Sequence, residues 1–233
     1  MNNLTIPHAV DNFRVLYRRV ELPRYYSGII HVIFAATVLV SATLYHGLQI
    51  QEISMGVCIA IPIIFLFGNW IEYVLHRFPL HHLRPGFKEI FKIHTKQHHQ
   101  YFTDKAMGFE THKDFHLVFF PYWSPILFVV ATSALGHFAL APIFSPEIGH
   151  LFAAMAPLNL FLYEILHFCY HLDEKNPLTK IPFIRTLRQH HIVHHNPGLM
   201  KKYNFNLTMP IFDWIYGTTY EPQQKTRGPM PPL

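Results

Sequence analysis

Four almost uncharged stretches, each about as long as a bilayer is thick, decide most of what this chain can become. A helix crosses the hydrocarbon core with about 20 apolar residues, and residues 28–47 supply such a run without a formal charge. Further runs cover 53–71, 117–141 and 148–163, the last extending toward His171 if Glu164 faces protein rather than lipid. Half of the 233 residues are hydrophobic and 14% are charged, against about 25% charged in an ordinary soluble domain. The expected fold is all-α and integral to a membrane, with four transmembrane helices.

The basic residues orient those helices. All nineteen Lys and Arg fall before the first run, between the second and third, or after the fourth, and the connections near 49–52 and 142–147 have none. Because cytoplasmic flanks are enriched in Lys and Arg, both termini are expected in the cytoplasm. The short connections suit two antiparallel helix pairs. Pro62, Pro121, Pro125 and Pro157 imply kinks in or at the starts of the spans.

Composition excludes several classes. The net charge of +5 is scattered among apolar spans rather than massed in one patch, so nucleic acid is not an expected partner. Cys58 and Cys169 lie far apart in apolar surroundings, which excludes a disulfide framework. Residues 1–27 lack the apolar core of a cleavable signal and form a polar, basic, cytoplasmic segment. A membrane domain is expected over 28–222, and a flexible Pro-rich tail over 223–233.

Nineteen histidines gather mainly into clusters on the expected cytoplasmic side, in a cap of shorter helices above the spans. The clusters are His76, His81 and His82; His94, His98 and His99; His167 and His171; and His190, His191, His194 and His195. Residues i and i+4 share a helix face, so His167 and His171 can grip one metal, with Glu164 one turn back as an acceptor for a ring N–H or an interhelical contact. His191, His194 and His195 converge similarly, and His190 pairs with His194 at the same spacing. Pro79 is expected to break the second span before His81, and His94 and His98 are expected to share a face. The lone His31, His46, His137 and His150 are read as structural.

A structural zinc takes four ligands and a catalytic zinc about three, so eight to ten converging histidines imply two metals. In a membrane, two irons suit attack on an unactivated C–H bond with dioxygen. Zinc lacks that redox chemistry, although it could occupy the same nitrogens in purified protein.

The ordered motifs EYVLHRFPLHH, HTKQHHQYFTDKAM, HFCYH, HHIVHH and NFNLTMPIFDWIYGT resemble the fatty acid hydroxylase and sterol desaturase superfamily, nearest to its fatty acid 2-hydroxylase branch. The resemblance spans roughly residues 69–218. It implies a dimetal centre held by His76, His81, His94, His98, His99, His167, His171, His191, His194 and His195. One departure stands out: the family commonly has two residues before the HH pair of the second cluster, and this chain has three. His82, His112 and His116 are therefore alternatives to His94. Asn204, Phe205, Asp213 and Gly217 match the closing motif, with Asp213 organising a loop.

The expected activity is O2-dependent hydroxylation of a fatty acyl, sphingolipid or sterol C–H bond, or desaturation at the same site. No haem, flavin or nicotinamide fingerprint is visible, so electrons are expected from a separate donor protein. Tyr101, Phe102, Phe119, Phe120, Tyr122 and Trp123 form either a substrate entrance or an interfacial aromatic belt. A bacterial inner membrane and the endoplasmic reticulum are both compatible locations. A transporter would carry ionisable groups mid-span, whereas these histidines lie at helix ends. A zinc-stabilised scaffold would be indifferent to oxygen.

Overall fold

A computed structural model describes residues 7–222; the expected tail at 223–233 lies outside the described residues. Among them the chain is all-helical, with one isolated bridge between Thr103 and Ala106 and no strand. Helix α1 (His8–Val20) precedes α2 (Gly28–Leu48) and α3 (Met55–Leu75), which runs on through a π turn over His76–Leu80. The short helices α4 (Lys88–Phe91) and α5 (His99–Tyr101) flank a second π segment, Lys92–His98. A 3-10 turn at His112–Leu117 leads to α6 (Ser124–Leu135), a π turn at Gly136–Leu140 and α7 (Ala141–Ile143). Last come α8 (Pro146–Tyr170), α9 (Pro182–His194) and α10 (Ile211–Ile215).

Four helical stretches are long and apolar enough to span a membrane: Gly28–Leu48, Met55–Leu80, Ser124–Ile143 and Pro146–Tyr170. Serine starts three of them, since Ser27, Ser54 and Ser145 accept from the Ile30, Val57 and Ile148 amides, satisfying donors that a helix start leaves free. The third span begins later than the apolar run suggests. Residues 117–120 pack instead against the histidine layer, and Pro125 opens the helix in its first turn, where a missing N–H costs nothing.

Helix α8 is the centre of the bundle, packing on α2, α3 and α6. Its approach to the α6 end depends on glycine: a Cβ on Gly149 would lie 2.6 Å from the Gly136 carbonyl oxygen and 2.8 Å from the Ala141 Cβ. Small residues let membrane helices meet backbone to backbone. Gly149→Val is expected to lower the thermal unfolding midpoint of detergent-solubilised protein, since overpacking costs about 1–3 kcal/mol. An unchanged midpoint by circular dichroism would contradict this packing.

The basic N-terminal segment contains a helix that the charge-based reading missed. In α1, Val10, Arg14 and Tyr17 turn inward, and Tyr17 joins a core with Leu22, Tyr101, Phe102, Leu117, Val118 and Phe119. Arg18 Nε and Nη2 each donate to Asp114 at 2.8 Å, and Nη2 also reaches Glu110 at 2.7 Å. Burial alone would raise the Asp114 carboxyl, but bonds from Arg18, Tyr101 and the Glu110 and Thr111 amides reverse this and leave it below the ordinary value. A depressed folded-state pKa stabilises the fold above the unfolded value of about 3.9, and that contribution is lost as pH falls through the folded value. The unfolding midpoint is therefore expected to drop below about pH 4, and Asp114→Asn to remove part of that acid dependence. An identical pH profile in the variant would exclude Asp114 as a contributor.

Candidate metal centre

Turn type decides which histidines meet. A π turn closes i→i+5 rather than i→i+4, so it brings residues five apart onto one face. The π turns at His76–Leu80 and Lys92–His98 thereby pair His76 with His81 and His94 with His99. In α8 and α9 ordinary α spacing pairs His167 with His171 and His191 with His195. The result is two buried groups of five, His76, His81, His94, His99 and His194 beside His98, His167, His171, His191 and His195. Within each group the ligand atoms lie within 4.8 Å of one another.

One expectation is corrected here. His94 and His98 go to different groups, because the π segment rotates His98 away and returns His99. The extra residue of HTKQHH is the one the wide turn absorbs. The second span does end before His81, as expected near Pro79, with the π turn carrying the helix through the proline to Leu80. Widening relieves the clash between a proline ring and the preceding turn.

The rings are aimed by backbone carbonyls. His76 Nδ1 donates to the Phe205 carbonyl, and His194 Nδ1 to that of Tyr203 at 2.9 Å. His98, His167, His171 and His195 donate to Leu117, Val118, Met107 and Phe102 at 2.8, 3.0, 2.9 and 2.7 Å. A carbonyl only accepts, so each of these six rings carries its proton on Nδ1 and presents a bare Nε2. The Nε2 atoms face one another, 3.1 Å between His167 and His171 and 3.2 Å between His98 and His195. Two bare nitrogens at that distance cannot hydrogen-bond and repel.

That arrangement fits metal. A metal–nitrogen bond of about 2.1 Å puts neighbouring ligands roughly 3.0 Å apart at right angles and roughly 3.4 Å apart in a tetrahedron. The nearest neighbours lie between 2.9 Å, for His81 and His194, and 3.3 Å, for His191 and His171, with every pair in a group inside 4.8 Å. Protonation does not compete: burial first, and facing rings second, push His81, His94, His99, His191, His194 and His195 well below the ordinary imidazole value. His98 falls to about 3. Imidazole suits iron, zinc, copper and nickel alike, so the donor set fits a transition metal without choosing it.

The remaining histidines point elsewhere. His82 Nδ1 bonds the Arg77 carbonyl, His116 Nδ1 meets the Tyr17 hydroxyl at 2.7 Å, and His112 is exposed at the start of the 3-10 turn. His190 Nε2 lies 3.2 Å from Asp213. His46 contacts His150 and Ser133, on the opposite side of the bundle.

The closing motif supports the first group. Asp213, fully buried, accepts from the Phe205 and Asn206 amides and the Thr218 hydroxyl. Glu72 accepts from the Leu207 and Thr208 amides. Together they hold the loop whose carbonyls aim His76 and His194. Asn204 and Gly217 adopt φ of 60° and 64°, a region open mainly to Gly and Asn. Glu164 accepts from the Phe120 amide rather than from a ring, and so steadies the chain just beyond Val118.

A cavity of about 450 Å³ reaches both groups, since His76, His94, His98 and His167 all line it. Helices α3 and α6 each pack on α8 but make no substantial contact with each other, and the cavity lies between them. Its remaining wall is mostly apolar, including Ile64, Leu75, Phe128 and Leu160. Of the six aromatics read as either an entrance or an interfacial belt, Phe119 and Phe120 line it. Tyr101 and Phe102 are fully buried in the core, while Tyr122 and Trp123 are exposed beside the third span.

The model of a family described as fatty acid hydroxylase matches residues 61–218, from the middle of α3 to the turn after α10. No curated protein and no solved structure matches the chain.

Proposed function

The chain belongs to the fatty acid hydroxylase family, and from that premise we propose that it hydroxylates a C–H bond of a membrane lipid at two irons, one in each five-histidine group. The observation that carries the reading is the gathering of ten histidine nitrogens into two groups, each of which places two rings on the wall of an apolar cavity between the long apolar helices. The overall reaction consumes dioxygen, two electrons and two protons, leaving one oxygen in the lipid and one in water. Bound iron would supply the redox chemistry that zinc lacks.

The protein's own residues would bind, aim and exclude. Leu117 and Val118 carbonyls orient two rings at the cavity end, and the apolar wall keeps bulk water from the reacting carbon. A substrate would enter sideways from the bilayer between α3 and α6, with its reactive carbon near the histidine layer. Basic residues confined to the histidine side support a cytoplasmic site served by a separate electron donor. A fatty acyl chain attacked near its carboxyl end is the favoured substrate, by likeness to the 2-hydroxylase branch.

The test is lipid mass spectrometry of cells with and without the protein under 18O2, with metal analysis of the purified chain. One labelled oxygen in a lipid and about two irons per chain are expected on this two-site reading. An unlabelled, unsaturated product would mean desaturation instead, and zinc without product would mean a scaffold.

A further inference from the structure

The two histidine groups are supported by different parts of the chain. The first leans on the loop after α9, through the Tyr203 and Phe205 carbonyls. Four rings of the second donate to carbonyls of Phe102, Met107, Leu117 and Val118, all within one irregular segment. That segment has little regular structure of its own to fix those four oxygens. What clasps it is α1, which lies outside the residues the family model matches.

Arg14 is the centre of the clasp. Its side chain is fully buried; Nε donates to the Tyr101 carbonyl at 2.9 Å and Nη2 to the Ala106 carbonyl at 2.7 Å. These two peptides immediately precede Phe102 and Met107, whose carbonyls aim His195 and His171. Nη1 is paired with Glu110 at 2.8 Å, and the guanidinium lies over the Tyr101 and Phe102 rings. Arg18 grips the next stretch through Asp114, which caps the 3-10 turn ending at Leu117. None of the bonds made by α1 reaches the loop that supports the first group.

We infer that Arg14 is a positioning residue chiefly for one metal site: it fixes the carbonyls that aim His171 and His195, so that the second five-histidine group depends on α1, whereas the first meets α1 only where Tyr101 ends the short helix that begins at His99. The inference rests on the two-metal reading above. A buried arginine that served general stability alone would show no such preference. Its planar fork matters, because one ammonium cannot reproduce two carbonyl bonds and a carboxylate pair at their separate positions.

The experiment follows metal rather than turnover. Purified protein is loaded with Fe(II) without oxygen, or with Zn(II), and release to a chelator is timed in detergent. Wild type, Arg14→Lys, Arg14→Met and Arg18→Gln are compared after size exclusion confirms folded protein. Losing a ligand's supporting partner costs about 10- to 100-fold in metal affinity, so both Arg14 variants are expected to release one equivalent at least about tenfold faster and to affect the other far less. Arg18→Gln, a milder change at a half-buried position, should shift the same equivalent in the same direction.

The affected site is identified by combination. Arg14→Lys added to His171→Ala should change metal release no further, whereas added to His81→Ala it should loosen what remains. Parallel loss of both equivalents, or no change in either, would overturn the role assigned to Arg14. A wild-type chain that holds fewer than two metals would overturn the two-metal reading itself, whatever Arg14 does.

Discussion

Replacing His195 with alanine is expected to lower bound metal from about two equivalents to about one and to abolish hydroxylated product. His195 is fully buried, its Nδ1 is held by Phe102, and its Nε2 sits 2.9 Å from that of His191 and 3.2 Å from that of His98. Alanine removes one of five nitrogens and leaves a buried carbonyl without its donor. Since losing a ligand's supporting partner already costs about 10- to 100-fold, loss of the ligand itself should exceed a hundredfold in turnover. His46→Ala is the matched control, because His46 bonds only His150 and Ser133 on the opposite side of the bundle. Metal analysis and product mass spectrometry check both. Two metals and full turnover in His195→Ala would remove this residue from the centre.

Leu160→Trp tests the cavity independently of the ligands. Leu160 lines the wall contributed by α8, about two turns from His167, so an indole there should block the path while leaving every ring and carbonyl in place. Product is expected to fall at least about tenfold, equivalent to about 1.4 kcal/mol in the barrier, with metal content unchanged. A smaller amphipathic lipid should recover part of the rate. Undiminished turnover of the original substrate would show that the lipid reaches the metals by another route.

Much of the architecture could be read from the residues because the bilayer enforces it: runs near 20 residues without charge have few alternatives to a spanning helix. The spans came out close to their apolar runs except at 117–123, where hydrophobicity serves the histidine layer rather than lipid. That distinction depends on contacts 49 residues apart, such as Val118 with His167, which no local pattern reveals. The histidine clusters were legible by abundance and spacing, but their division between two groups was not. Spacing rules assume an α-helix, and π turns break that assumption at both His76–His81 and His94–His99. Helix α1 is masked by its charge, which reports on topology rather than on local structure. The inward spacing of Val10, Phe13, Arg14 and Tyr17 was the available signal.

Because α9 and the residue that caps its end supply His194 to one group and His191 and His195 to the other, neither set is complete until the last of the four spans has been made. A ribosome would have released all four spans and the whole histidine-bearing loop before a fifth nitrogen reached either cluster. Early in synthesis the chain can hold only partial sets, so full loading with any ion must follow membrane insertion rather than guide it. In a cell starved of the ion, the expected product is therefore a chain already inserted in the membrane with its two histidine sets unfilled.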